Sequence, residues 1–165
     1  MIRPRRLLLG LDGLVVAQSL YYCPKLPAVV ASHFDAAGQP NGWSTRTGFV
    51  LFQLAVAALI TLVFLGLPLL FRGVPTALWS LPRKEYWLAP DRRATTIADL
   101  ENRFSWFGVA TIALILCVFQ VAIEANLHPD HRLANSVVWP MLATYVVGAL
   151  FFAGRLIVRY TRVEK

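Results

Sequence analysis

The sequence predicts an all-α fold: an integral membrane bundle of four transmembrane helices, with a structured extracytoplasmic loop and a cytoplasmic amphipathic helix. Three observations predict it. Of the 165 residues, 57% are hydrophobic and 15% charged, with a mean hydropathy of +0.56. Soluble domains carry about a quarter charged residues, so a water-facing globule of this length would lack the material for its surface. The apolar residues also gather into four runs, each near the ~20 residues that cross ~30 Å of hydrocarbon. Finally, the basic residues segregate to one side of those runs. This composition excludes disorder and a typical soluble enzyme, and two cysteines are too few for a disulfide framework. The length fits one transmembrane domain over residues 1–165.

The first run, 7–22, follows the basic start Arg3-Pro4-Arg5-Arg6 and contains Asp12. Its basic start and the small-x-small segment Ala17-Gln18-Ser19 also suit a cleaved signal peptide. The run stays apolar past Ser19, however, and ends in Tyr21 and Tyr22, which suit a membrane boundary. A retained helix is the reading. The next segment, 23–47, is too long and too rich in Val, Phe and Trp for a flexible spacer. Pro24 and Pro27 hold their surroundings extended. Val29, Val30 and Phe34 predict a short strand, while Gly38 and Asn41-Gly42 are turn formers. The segment reads as a folded cap.

The second run, 48–71, is broken only by Gln53, Thr61, Gly66 and Pro68. The loop 72–103 then carries most of the basic charge. Within it, Pro90 is placed to open a helix. Ile97, Leu100, Phe104 and Phe107 share one face of that helix, with Arg92, Arg93, Thr96, Asp99 and Arg103 mostly elsewhere. This predicts an amphipathic helix resting at the inner interface and running into the third run, 104–125. The aromatic cluster Tyr86-Trp87-Leu88 before it either anchors at the interface, tucks under the bundle or binds a partner. The fourth run, 136–158, is interrupted late by Arg155.

Net charge is +7, which on its own would invite a nucleic-acid reading. Sorting the charges removes it. One side holds Arg3, Arg5 and Arg6, then Arg72, Arg83, Lys84, Arg92, Arg93 and Arg103, then Arg155, Arg159, Arg162 and Lys165. The other side holds Lys25, Arg46 and Arg132. Thirteen against three predicts both termini and the middle loop in the cytoplasm. The partner is then a lipid bilayer, with its anionic headgroups, and not nucleic acid. Tyr21, Tyr22, Trp43 and Trp139 fall near the outer boundary, and Phe71, Trp79, Trp87, Trp106 and Tyr160 near the inner one.

Tyr22, Pro24, Leu26-Pro27, His33-Phe34, Gly38 and Asn41-Gly42-Trp43 resemble the pattern of domain of unknown function 1648. Cys23 stands between Tyr22 and Pro24, and Asn41 where that family commonly has Asp. The middle-loop stretch Leu81-Pro82-Arg83-Lys84-Glu85-Tyr86-Trp87-Leu88-Ala89-Pro90-Asp91-Arg92-Arg93 is similar to a second stretch of the same family. The resemblance covers roughly residues 5–105. SdpI-type immunity proteins of bacteria carry this domain, protect their producer from a membrane-active peptide toxin and relay its presence to a repressor. The resemblance therefore implies a bacterial cytoplasmic membrane protein, with immunity or signal relay as expected roles. Those proteins also have a further membrane domain that this chain is too short to contain.

No phosphate loop, nucleophile elbow, Cys-x-x-Cys or His-Glu-x-x-His occurs, so neither an enzyme nor a cofactor is expected. His33, His128 and His131 all fall on the outer side. A metal site there would need His33 close to one of the other two. The alternative is that they brace loops through hydrogen bonds. The intramembrane polar residues are Asp12, Gln18, Gln53, Gln120 and Glu124. Gln120 and Glu124 share a helical face. Asp12 is expected to meet an arginine at the inner boundary, and Glu124 to cap the outer end of its span. Cys117 reads as a small core residue, and Gly108, Gly148 and Gly154 as close-packing points.

The leading expectation is a non-enzymatic membrane protein whose cap recognises a ligand or partner through His33, Phe34, Gly38, Asn41 and Trp43. The basic, aromatic loop with Tyr86 and Trp87 would pass that state inward. One alternative is a small accessory subunit of a larger complex, with a protein partner within the membrane. Another is a small transporter or metal handler, which requires a polar cavity joining Gln53, Gln120 and Glu124.

Overall fold

The computed structural model describes residues 3–162. Lys165, counted above among the basic residues, lies outside them. The elements are α1 (Pro4–Tyr22), β1 (Val29–Phe34), β2 (Pro40–Thr45), α2 (Arg46–Thr61), α3 (Leu67–Phe71), α4 (Lys84–Trp87), α5 (Arg93–Leu127) and α6 (Asn135–Thr161). Four helical stretches, Pro4–Lys25, Arg46–Phe71, Arg93–Leu127 and Asn135–Thr161, are long and apolar enough to cross a membrane. The chain is a mostly helical, multi-pass membrane protein.

α1, α2 and α6 start one to three residues earlier than the apolar runs alone indicate, and α5 eleven residues earlier. Pro4 sits in the first turn of α1, where its missing N–H costs nothing. Thr45 caps α2 by accepting from the Gly48 amide at 3.1 Å. The expected interfacial helix is not a separate element, because α5 continues from Arg93 through the third run without a break. Pro90 does not open it; Pro90 lies in a turn and the helix begins three residues later. Thr96, Ile97, Leu100 and Glu101 are buried against the rest of the protein.

A π-helical turn, Leu62–Gly66, joins α2 to α3. Its place follows from Pro68, which has no N–H to donate and whose ring would meet the carbonyl four residues back in a regular helix. The turn delivers Phe64 into the core, where its ring lies 5.6 Å from Phe104 and 5.7 Å from Phe107. Gly108 makes room for it. A Cβ there would stand 2.6 Å from the Phe64 Cβ and 2.8 Å from Leu8 Cδ1. Gly148 and Gly154 are not packing points, since a Cβ at either meets nothing within 4 Å. Cys117 is exposed on the outside of the bundle, not in its core.

The core is therefore α1, α2 and α5, with α6 laid mainly on α5. It has two apolar parts. Leu26, Val30, Phe49, Phe119, Ala122 and Ile123 pack beneath the β-strands. Leu8, Val15, Ala57, Phe64 and Ile112 pack toward the opposite end. The strands form one antiparallel hairpin, pairing Val29 with Thr45, Ala31 with Trp43 and Phe34 with Pro40, with irregular register around His33.

Candidate functional site

The hairpin end is the first candidate. Asp35 organises its turn: one carboxylate oxygen accepts from the amides of Ala37 and Gln39, both at 2.9 Å. The Asp35 amide donates to the Gln39 carbonyl and the Gly38 amide to the Asp35 carbonyl. Gly38 has φ +78°, the left-handed residue that closes a three-residue hairpin loop. Gly38 also docks the hairpin. Its carbonyl accepts from the Leu133 amide at 2.9 Å, and a Cβ would press to 2.8 Å from the Leu133 carbonyl oxygen. Asn41 and Gly42, expected in a turn, lie in β2 instead. Gly42 is needed there because a Cβ would stand 2.9 Å from the His33 Cβ.

Asn126, near the C-terminal end of α5, clamps this hairpin. Its side-chain oxygen accepts from the Ala31 amide at 2.6 Å, and its nitrogen donates to the Ala31 carbonyl at 2.8 Å. The side chain pairs with β1 as a neighbouring strand would, which satisfies two backbone groups buried under the cap. Phe34 is half-buried against the core and so supports the cap from within. His33, Asn41 and Trp43 are exposed. The Trp43 ring meets His131 edge to face at 5.4 Å. His131 has φ 49°, an uncommon conformation for a non-glycine residue, and its Nδ1 is buried with no hydrogen-bond partner among the described residues. His33 Nδ1 bonds with the Ser32 hydroxyl at 3.1 Å. Among the described residues, no three His, Cys, Asp or Glu side chains gather in a metal-holding group, so His33, His128 and His131 do not form one.

Four of the intramembrane polar residues, Gln18, Gln53, Gln120 and Glu124, meet, with Gln18 as the bridge; Asp12 stands apart from them. The Ser19 hydroxyl donates to Gln53 Oε1 at 3.3 Å, and Gln53 Nε2 to Gln18 Oε1 at 2.5 Å. Gln18 Nε2 donates to Gln120 Oε1 at 2.7 Å. Gln120 Nε2 then donates to Glu124 Oε1 at 2.8 Å and to the Tyr22 hydroxyl at 3.1 Å. The chain of donors runs one way, from the buried Ser19 and Gln53 to the exposed Glu124 carboxylate. It links α1, α2 and α5 between the two apolar parts of the core. Gln53 and Gln120 are thus joined by the Gln18 side chain. Hydrogen bonds in such a chain polarise one another. Glu124 is not a helix cap; it ends this chain. Asp12 likewise meets no arginine among the described residues. Its Oδ2 accepts from Thr61 at 2.7 Å, and its Oδ1 is buried without a partner among the described residues.

At the end opposite the hairpin, two acids on α5 hold the bundle together. The buried Glu101 accepts from Arg72 at 2.8 and 3.0 Å and from Arg5 at 3.1 Å, joining α1 and the end of α3 to α5. The hydrogen bond to Glu101 holds the Arg72 guanidinium charged beyond its usual range. Asp99 Oδ2 accepts from Arg103 at 2.8 Å and from Arg159 and the Tyr160 hydroxyl, both at 2.9 Å. Trp87 tucks under the bundle: its indole N–H donates to the Tyr160 carbonyl at 2.9 Å, and the two rings cross at 5.2 Å. Tyr86 lies beside it, with the Arg92 guanidinium 4.1 Å over its ring. Tyr86 and Trp87 are therefore at the other end of the bundle from His33, Phe34, Gly38, Asn41 and Trp43.

Sequence reasoning passed over Asn126 and Glu101. Asn126 falls one residue past the expected end of the third run, and the turn signals of the cap gave a reason to look for an α5 partner. Glu101 stands beside Leu100 on the predicted helix, and its burial depends on arginines from two distant segments.

Residues 13–59 match the family described as domain of unknown function (DUF1648). The matched segment takes in the C-terminal half of α1, the hairpin and most of α2. No curated protein and no solved structure matches the chain.

Proposed function

We propose, with the DUF1648 match over residues 13–59 as the premise, that this chain is a non-enzymatic protein of the bacterial cytoplasmic membrane whose hairpin recognises a ligand or partner. The hairpin faces the extracytoplasmic side, and both chain ends face the cytoplasm. Charge asymmetry supports that orientation: the end with Arg5, Arg72, Arg103 and Arg159 is strongly basic, and the hairpin end has few cations. The observation that carries the reading is the Asn126–Ala31 clamp. It fixes β1 to α5, the helix that also holds Glu101 and Asp99 at the other end. A ligand that shifts β1 has to displace the end of α5 or break both hydrogen bonds.

Exposed Trp43 and Asn41 on one face of β2, with exposed His33 on the other, form the receiving end of the hairpin, and the His131 ring braces Trp43 at 5.4 Å. Phe34 and Gly38 shape it from below. Tyr86 and Trp87, seated on Tyr160, form the responding face. The likeness of the cap and middle loop to SdpI-type immunity proteins favours immunity or signal relay as the specific role. Expression in cells sensitive to a membrane-active peptide toxin tests it. Survival that is lost on Trp43→Ala supports immunity, and unchanged killing by the toxin sinks it.

A second reading, an accessory subunit of a membrane complex, draws on α6. That helix leaves Val146, Val147, Leu150 and Phe151 uncovered and buries little besides Tyr160. Extraction from the native membrane in mild detergent separates the two readings. A stoichiometric companion supports the subunit, and a lone chain argues against it.

A further inference from the structure

A cleft of about 780 Å³ opens between α4, α5 and α6 at the basic end of the bundle. Its walls carry Arg103, Arg155, Arg159 and Arg162, with the Trp87 and Tyr86 rings at one side. Arg155 and Arg159 stand four residues apart on one stripe of α6, and Arg162 follows directly on the helix's C-terminal end; all three line the cleft. Asp99 bonds Arg103 and Arg159. Neither Arg155 nor Arg162 pairs with a described acid. The cleft therefore keeps a surplus of positive charge.

The same stripe becomes apolar toward the middle of the span. Phe151 and Gly154 line the cleft there, Val158 adds an apolar contact between Arg155 and Arg159, and the Arg155 guanidinium lies 5.6 Å from the Phe151 ring centre. From Phe151 to the end of α6 at Thr161 the helix rises about 15 Å. One end of the cleft thus lies in hydrocarbon and the other reaches the headgroup layer. Gly154 keeps it open between them, since a Cβ there meets nothing within 4 Å. A soluble anion would use only the basic end. An amphiphile with a phosphate uses both.

We propose that this cleft is a binding site for an anionic phospholipid. Arg155, Arg159 and Arg162 hold its phosphate, and an acyl chain lies along Val158 and Phe151. Guanidinium groups suit this task because each offers a planar pair of N–H donors to phosphate oxygens. Basic pockets between transmembrane helices are a recurrent means of holding such headgroups.

Native mass spectrometry of the whole detergent-solubilised chain tests the site, with phosphatidylglycerol, phosphatidylcholine and inorganic pyrophosphate as separate arms. Phosphatidylglycerol is expected to bind at one lipid per chain and to outcompete phosphatidylcholine. The pair Arg155→Gln and Arg162→Gln is expected to weaken it about thirtyfold. Arg3→Gln with Arg6→Gln removes the same charge at the same end outside the cleft and is expected to leave binding unchanged. Equal losses in the two pairs would overturn the site in favour of diffuse attraction. Gly154→Leu changes no charge and occupies open space, so it folds and fills the cleft. Undiminished binding by that variant would overturn the proposal, as would pyrophosphate binding as tightly as the lipid.

Discussion

Asn126 and Ala31, 95 residues apart, exchange two hydrogen bonds in which a side-chain amide replaces a missing strand. A two-stranded hairpin alone is marginal in water. This one is held by its contact with α5, by Gly38 against Leu133, and by burial of Val30 and Ala31.

Asn126→Leu leaves the buried Ala31 amide and carbonyl without partners, at about 1–3 kcal/mol for each group. Hydrogen exchange should accelerate at the Ala31 amide while the amides in the middle of α5 stay protected. A melt in detergent should show the accompanying fall in stability.

Gly108→Ala forces a methyl group into Phe64 and Leu8 and should destabilise the bundle by about 1–3 kcal/mol. Gly148→Ala, on the open face of α6, should be neutral or stabilising by up to about 1 kcal/mol. Thermal unfolding of the two variants side by side checks the contrast.

Gln18→Leu cuts the glutamine chain at its centre and strands Gln53 Nε2 and Gln120 Oε1. Hydrogen bonds between membrane helices are worth about 0.6–1.7 kcal/mol each, so the loss should exceed that of Thr144→Val. Among the described residues, the Thr144 hydroxyl bonds only the Pro140 carbonyl of its own helix. Unfolding in the same detergent compares them.

Glu101→Gln removes the charge that Arg5 and Arg72 share. Both arginines are largely exposed, so screening should reach the cluster. Stability of the parent chain should fall between low and moderate salt, and that of the variant should respond much less.

The four spans were legible because twenty apolar residues in a row have few other uses. Boundaries were less so. Pro4 and the arginines beside it read as a polar flank, yet they form a sound first helical turn. The hairpin was half legible: Val29, Val30 and Phe34 signalled β1, and Gly38 marked the turn. β2 was hidden because Asn41-Gly42 normally marks a reversal of the chain. Here Gly42 serves the close approach of His33 instead. The polar chain was visible only as fragments. Gln53, Gln120 and Glu124 stood out within apolar runs, but nothing local assigns Gln18 to both neighbours. Asp12 shows the same limit, since its partner is Thr61, not one of the many arginines. Burial of Glu101 is a property of three segments meeting and is carried by none of them alone.

The 35-residue length of α5 bears on how the two ends of the molecule communicate. It contains no proline and no π-helical turn, whereas the α2–α3 path contains both and α6 contains Pro140. A regular hydrogen-bonded helix resists torsion, and an interrupted one absorbs it at the interruption. Between Asn126 and the acids Asp99 and Glu101 there is thus an unbroken helix, while the same distance along α2 and α3 is interrupted beside Phe64. Of the elements that pass from one end of the bundle to the other, α5 is the stiff axle and the α2–α3 path the compliant one.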